Sequence, residues 1–206
     1  MDSEMDETDR ERWNRRYSEG AYAARSHPSV LVDEWLGRMT VAAEGPRAVD
    51  VACGLGRNAL YLARAGWTVD ALDVSDVALN RLDEQARVED LNVHCRRVDL
   101  SSVGPALETA LPPQHFDLAL VIRYANLPLV SRLADALKPG GYLVVEAHMV
   151  SDDDVIGPKG DRFRVAPGAL RAAAGRLRIL NEEEGLVRDP DGRVAALSRI
   201  VARRPS

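Results

Sequence analysis

Ala48-Val49-Asp50-Val51-Ala52-Cys53-Gly54-Leu55-Gly56-Arg57-Asn58 is the stretch whose reading decides the fold. Its first five residues are small or β-branched around a single acid, Asp50, which is the pattern of a buried strand. Gly54 and Gly56 then interrupt the run, and helical spacing begins at Asn58. Strand, tight loop and helix start together make a ligand cradle. Two glycines two apart let the backbone turn sharply and leave it uncovered, and the free N–H groups of the following helix point towards whatever binds.

A dinucleotide fingerprint places a third glycine three residues after the second. Ala59 stands there, an accepted substitute, so spacing alone leaves a nicotinamide cofactor open. Asp50 tips the reading away from it. A carboxylate just ahead of the loop repels a pyrophosphate and suits a cationic amine, such as the amino group of a methionine moiety. S-adenosylmethionine carries that amine, and the expected cofactor-side residues in the cradle are Asp50, Ala52, Cys53, Gly54, Gly56 and Asn58.

Outward from the cradle, Thr68 to Leu72 reads as a second strand ending at Asp73, at the distance where an acid takes ribose hydroxyls. Its other available role, capping the helix that follows, can be filled by Ser75. Asp76 to Val88 has helical spacing, Val93 to Val98 alternates as a strand, and Gly104 to Pro113 is loop and short helix. Phe116 to Arg123 is an apolar run suited to a strand buried on both faces. Leu129 to Leu137 is a helix closed by Lys138-Pro139-Gly140-Gly141, and Tyr142 to Ala147 is another buried strand ending at His148. Ser151 to Asp161 is polar with three consecutive aspartates and reads first as a solvated loop. After a helix from Pro167 to Gly175, Leu177 to Arg188 and Val194 to Arg203 flank Asp189-Pro190-Asp191-Gly192, a hairpin signature. The alternation of strand and helix predicts an α/β, Rossmann-like, doubly wound sheet with helices on both faces, its five parallel strands finishing in an antiparallel pair.

On the other side of the cradle, Met1 to Asp9 is acidic and without apolar period, reading as frayed chain until Thr8 or Asp9 caps a short helix. Trp13 and Tyr17 lie four apart on that helix, either packing on the body or lining the pocket. His27 precedes a helix opened by Pro28, with Leu31, Val32, Trp35, Leu36 and Met39 on one stripe. The expected organisation is one domain, residues 1–206, with a helical cap over 1–44 and a core over 45–206.

The 206 residues are 46% hydrophobic, enough for one full core. A net charge of −5 disfavours a broad phosphate-binding face, so nucleic acid is not expected as a partner. Cys53 and Cys95 are the only cysteines. They can build neither a disulfide framework nor a paired-cysteine metal site, and no metal is expected. No apolar run approaches a membrane span, and the acidic start does not resemble a signal sequence, so the chain reads as cytoplasmic, a monomer or homodimer.

With these residues in place, the chain resembles the class I S-adenosylmethionine-dependent methyltransferases, and more narrowly the small bacterial branch similar to the tellurite-resistance and thiopurine methyltransferases. The resemblance is carried by Val49 to Ala59, Leu72-Asp73-Val74-Ser75, Val98-Asp99-Leu100, Leu137 to Gly141, and the terminal hairpin with Glu182 to Gly185. It implies a seven-stranded sheet with the last strand antiparallel and a product, S-adenosylhomocysteine. It further implies Asp73 on the ribose with Val74 and Ser75 beside it, Asp99 and Leu100 at the adenine, and the backbone of Cys53 to Gly56 around the methionine portion. Arg25-Ser26-His27 resembles a segment that closes over the cofactor in the tellurite-resistance branch. Where such relatives often show Arg-Tyr-Leu-His-Arg-Pro, this chain has Arg123-Tyr124-Ala125-Asn126-Leu127-Pro128, so a basic pair is missing and the relatives' substrates do not transfer.

The expected activity is methyl transfer to a small-molecule acceptor. Arg123, Tyr124 and His148 are acceptor-side candidates because they follow buried strands, with Arg123 also beside the cofactor, and Arg188 because it ends a hairpin strand. No residue pair advertises a general base, which favours soft nucleophiles such as thiol, selenium or tellurium species. Two other readings use the same cradle: a non-catalytic S-adenosylmethionine-binding regulator and a nicotinamide-dependent oxidoreductase.

Overall fold

The computed structural model describes residues 8–41, 44–101 and 104–206. The expected fraying of the first residues lies, for 1–7, outside the described residues. Seven strands form a single sheet in the order β3-β2-β1-β4-β5-β7-β6. These are β1 (Arg47–Val51), β2 (Thr68–Asp73), β3 (Val93–Arg97), β4 (Phe116–Ile122), β5 (Leu137–His148), β6 (Arg178–Arg188) and β7 (Val194–Arg203). The first five pair parallel, and β7 runs antiparallel to both β5 and β6. This is the predicted seven-stranded sheet with its last strand reversed. The strand order reverses between β1 and β4, so their carboxyl ends open the crevice where ligands of such sheets bind.

Helices cover both faces. On one, α2 (Val30–Leu36), α3 (Arg57–Arg64) and α4 (Asp76–Val88) bury Leu31, Leu60, Leu62, Leu79 and Leu82 against Val69, Leu118 and Val144. On the other, α5 (Pro105–Ala110), α6 (Leu127–Ala136) and α7 (Ala169–Ala174) bury Leu107, Leu129, Leu133 and Leu170 against Val49, Val121 and Val145. The remaining helix, α1 (Asp9–Ser18), starts in a capping box between Thr8 and Glu11.

Two local readings are corrected. Lys138 to Gly141 does not stand outside the strand as a helix stop, because β5 already begins at Leu137. The register against β4 shifts between Phe116 and Leu118 to accommodate the segment, with Gly140 at φ +78°. Pro28 does not sit in the first turn of α2. Ser29 is the N-cap, and its backbone N–H donates instead to Asn58 Oδ1 at 2.8 Å.

Candidate active site

The cradle has the predicted form, and packing requires both of its glycines to be small. Gly54 lies at φ +55°, and a Cβ there would stand 2.7 Å from the Tyr17 hydroxyl. Gly56 lies at φ +78°, where a Cβ would overlap Leu82 Cδ1 at 2.2 Å. The freedom of Gly56 is therefore spent on packing the loop against α4, not on the approach of a ligand. Ala52 adopts φ 56° although it carries a Cβ, a left-handed conformation that costs roughly 1–2 kcal/mol for an L-residue.

Asp50 is 1% exposed and takes a hydrogen bond from the Ala59 backbone, while its Oδ2 is buried with no partner. Burial pushes its carboxyl up to about 7, against the pull of the nearby Arg57 guanidinium. Asp73 ends β2 and ties the cradle together: its Oδ2 accepts from Gly54 N at 2.8 Å and its Oδ1 from Ser75 N at 2.9 Å. Burial nevertheless raises its pKa. Ser75 caps α4 through Ala78 N at 3.2 Å, as expected, and its hydroxyl donates to Asn14 Oδ1 at 2.7 Å. Cys53 is buried, its thiol held well above the ordinary range by burial and by Asp73, so it is inert as a nucleophile.

A cleft of about 640 Å³ lies between α1 and the ends of β2 and β3, lined by Thr8, Arg10, Asn14, Val74, Arg97 and Asp99. Val74 and Asp99, both expected at the nucleoside, line this one cleft, with Asp99 exposed and Leu100 buried beside it. Tyr17 lies against the glycine loop: it is 7% exposed, stacked with Trp13 at 5.6 Å, and its hydroxyl faces Gly54. Burial and the charge of Asp73 both raise the Tyr17 pKa.

The acceptor side differs more from expectation. Arg123 lies at φ 63° just past β4, with Nε on Glu146 and Nη2 on Asp189 Oδ1 at 2.6 Å. Glu146 is 1% exposed and also accepts from Arg199 Nε at 3.0 Å. His148 is buried with Nδ1 unpartnered, and burial together with Arg123, Arg164 and Arg25 lowers its pKa to about 4. Tyr124 is half-buried at the mouth, its pKa raised by burial. Arg188 does not join this group. It is exposed and donates to Gly192 O at 2.6 Å, because alternation along β6 turns it away while the next residue, Asp189, reaches in.

Three cofactor-side residues also have other engagements. Arg25 lies 3.9 Å from Asp191 and over the Tyr22 ring, so it belongs with the hairpin tip. His27 contacts its neighbour's carbonyl, Pro28 O, at 3.0 Å, and its own carbonyl accepts from Arg57. Asn58 spends its Oδ1 on α2 and points away from the loop's ligand face. The missing basic pair has a structural counterpart: Asn126 caps α6 through Leu129 N and donates to Leu100 O at 3.0 Å. Sequence reading passed over Asn14, Arg57, Glu146, Arg164 and Asp189. Of these, Glu146 carried a visible signal, a lone acid inside an unbroken apolar strand.

Among the described residues no group of three or more His, Cys, Asp or Glu could hold a metal ion, and no helix is long and apolar enough to cross a membrane. The sheet order, with its last strands antiparallel, is the architecture of a class I methyltransferase fold. Residues 48–141 match the model of the methyltransferase domain family. The chain is 28% identical over 132 residues to the probable S-adenosyl-L-methionine-dependent methyltransferase TehB of Haemophilus influenzae, covering 61% of this chain and 43% of that one. It is 31% identical over 117 residues to an uncharacterized methyltransferase of Synechocystis sp., covering 52% and 50%. The chain therefore spans half or less of the length of these curated relatives. The crystal structure of TehB from Haemophilus influenzae superposes with a TM-score of 0.68 at 21% identity, over 92% of this chain and 66% of that chain. A phosphoethanolamine N-methyltransferase of Haemonchus contortus gives 0.71 at 16%, over 98% and 61%. Residues 48–141 thus match a methyltransferase domain, and the chain has the fold of TehB and resembles it in sequence.

Proposed function

We propose that this chain, as one folded unit, transfers the methyl group of S-adenosylmethionine to a small acceptor with a soft nucleophilic atom. The observation that carries the reading is Asp50: a buried carboxylate oxygen without a partner, at the base of a glycine cradle, fits the amino group of a methionine moiety. When bound, S-adenosylmethionine supplies an activated methyl group, whose bond to the sulfonium breaks as the acceptor's lone pair forms the new bond, leaving S-adenosylhomocysteine.

The chain's own residues bind, orient and exclude water, which can supply much of the barrier reduction. Asp50 takes the amine, Asp73 and Val74 the ribose side, and Asp99 with Leu100 the adenine side. Tyr17 covers the loop, and Arg123, fixed by two carboxylates, shapes the acceptor side with Tyr124 and His148. A histidine with a pKa of about 4 is a weak base at neutral pH, which supports an acceptor that ionises by itself, such as a thiolate or its selenium or tellurium counterpart.

The test is calorimetric titration with S-adenosylhomocysteine and NAD, followed by assay of S-adenosylhomocysteine formation with thiol, selenium, tellurium, phenol and amine acceptors. Binding of S-adenosylhomocysteine and turnover with a soft acceptor are expected. Tight NAD binding without S-adenosylhomocysteine binding, or a preferred amine, refutes the reading.

A further inference from the structure

We propose that Arg164 recognises a negative charge on the acceptor, so that the favoured substrates are small soft nucleophiles that also carry a carboxylate or another oxyanion. This rests on the methyltransferase reading and adds a substrate class and a specificity residue to it.

Arg164 is brought to the site by backbone pairing. Val165 N donates to His148 O at 2.8 Å and Val165 bridges Met149, so residues 164–165 lie alongside the end of β5. The guanidinium is aimed by two carbonyls, Nη1 on Met149 O at 2.8 Å and Nε on Pro158 O at 3.0 Å. Neither bond uses Nη2. A single point fixes where Nη2 lies: the place a Cβ on Gly157 would occupy is 3.2 Å from Arg164 Nη2 and 2.7 Å from the unpartnered His148 Nδ1. Gly157, at φ +138°, is the residue that lets the loop lie over both groups.

The charge balance around this point is positive. Arg25, Arg123 and Arg164 act on His148 from the α1–α2 loop, the residue after β4 and the segment after β5, and Arg57 at the start of α3 is coupled to Arg25 and Arg123. Glu146, Asp189 and Asp191 are the acids that answer them. Glu146 also serves Arg199, and Asp191 also serves Arg193. Among the described residues, neither Arg57 nor Arg164 has a carboxylate within 4.0 Å. A half-buried guanidinium bonded only to carbonyls has lost hydration without gaining a counter-ion, and an anion with two oxygens matches its planar fork. Arg57 opens the helix of the cradle and suits the carboxylate of the methionine moiety. Arg164 lies beyond Arg123 and His148, on the acceptor side.

The contrast is 3-mercaptopropionate against 3-mercaptopropionamide, corrected for thiolate fraction. In the wild-type protein kcat/KM is expected to favour the acid about tenfold or more, the range of a charge-assisted hydrogen bond. Arg164→Gln should bring the ratio near one while S-adenosylhomocysteine affinity stays within about twofold. Equal rates for acid and amide in the wild-type protein, or an undiminished preference in Arg164→Gln, overturn the proposal. If Arg164→Gln does not fold, the wild-type contrast decides alone. Should no acceptor be methylated, the methyltransferase reading fails separately, and calorimetric binding of the two thiols still decides whether Arg164 selects the anion.

Discussion

Arg123 Nη2 donates to Asp189 Oδ1 at 2.6 Å, and both side chains are 11% exposed. The bond joins the end of β4 to the tip of the β6–β7 hairpin, two places 66 positions apart in the chain. Arg123 also holds Glu146, so its guanidinium is fixed from two sides, and the hairpin becomes a wall of the crevice at the β1/β4 switch. Breaking a buried ion pair strands the partner charge and costs about 3–5 kcal/mol.

Asp189→Ala should therefore destabilise the protein by about 3 kcal/mol, the low end because Glu146 remains on Arg123. Urea unfolding measures the loss. The acceptor KM should rise while S-adenosylhomocysteine affinity changes little, since Asp189 is not among the residues that line the 640 Å³ cleft. A variant as stable as the wild type would mean that the hairpin tip is not anchored by this bond.

Asp50 makes cofactor binding a proton-linked event. Its folded pKa of about 7 lies above the ordinary carboxyl value of 3.8, so the folded chain holds this proton more tightly than the unfolded one. Stability from this group is complete below pH 3.8, declines as pH rises towards 7, and levels off above. An incoming ammonium requires the charged form. S-adenosylhomocysteine affinity should rise nearly tenfold per pH unit below 7 and flatten above it, with close to one proton released on binding at pH 6. Calorimetry in two buffers of different ionisation enthalpy reads the proton directly. Asp50→Asn should lose the affinity while being at least as stable as the wild type at pH 8.

Gly56→Ala should fail for a packing reason. A Cβ there overlaps Leu82 Cδ1 at 2.2 Å, and φ +78° adds backbone strain. A loss of about 2–4 kcal/mol is expected, and Leu82→Ala in the same chain should recover the steric part. A double-mutant cycle gives the coupling, which is expected to exceed about 1 kcal/mol. Simple additivity would show that Leu82 moves aside freely and that the glycine is kept for its conformation alone.

Asp73→Ala was open to two readings from sequence, ribose ligand or cap. The structure adds a third task, since both its oxygens bind the backbone of the cradle and the α4 start. Losing those bonds to a charged acceptor should cost stability by about 2–3 kcal/mol even though Ser75 still caps Ala78. Asp73→Asn, which keeps an acceptor oxygen, should be more stable than Asp73→Ala while binding S-adenosylhomocysteine at least tenfold more weakly than the wild type. Equal affinity of Asp73→Asn and wild type would make the residue purely structural.

What was legible in the sequence was what local chemistry dictates. The cradle, the α4 limits Asp76 and Val88, Asp73 at a strand end and the hairpin all follow from residue type and period. The acceptor side was not legible, because its geometry is set by long-range pairing. Whether Arg188 or Asp189 points inwards depends on the phase of β6 against β7, and a shift of one residue exchanges them. Arg164 reaches His148 only because a non-adjacent segment bridges Met149. Asn58 looked like part of the cradle, yet its partner Ser29 lies 29 residues earlier.

His148 gives the last prediction. Burial and three arginines hold its pKa near 4, so the ring is neutral through the working range. Its folded pKa lies below the ordinary imidazole value of 6.5; the stability this implies is full above pH 6.5 and is lost as pH falls towards 4. His148→Gln should flatten that acid limb of the stability curve, followed by thermal unfolding from pH 4 to 8. In catalysis at saturating S-adenosylmethionine the same neutrality means that no histidine inflection should occur between about pH 5.5 and 7.5, and the rate with a thiol should track the thiol's own ionisation. His148→Gln should lower the rate by tenfold or less without moving that profile. A shifted profile, or an alcohol or amine acceptor whose methylation collapses in this variant, would make His148 the general base and overturn the choice of a self-ionising acceptor.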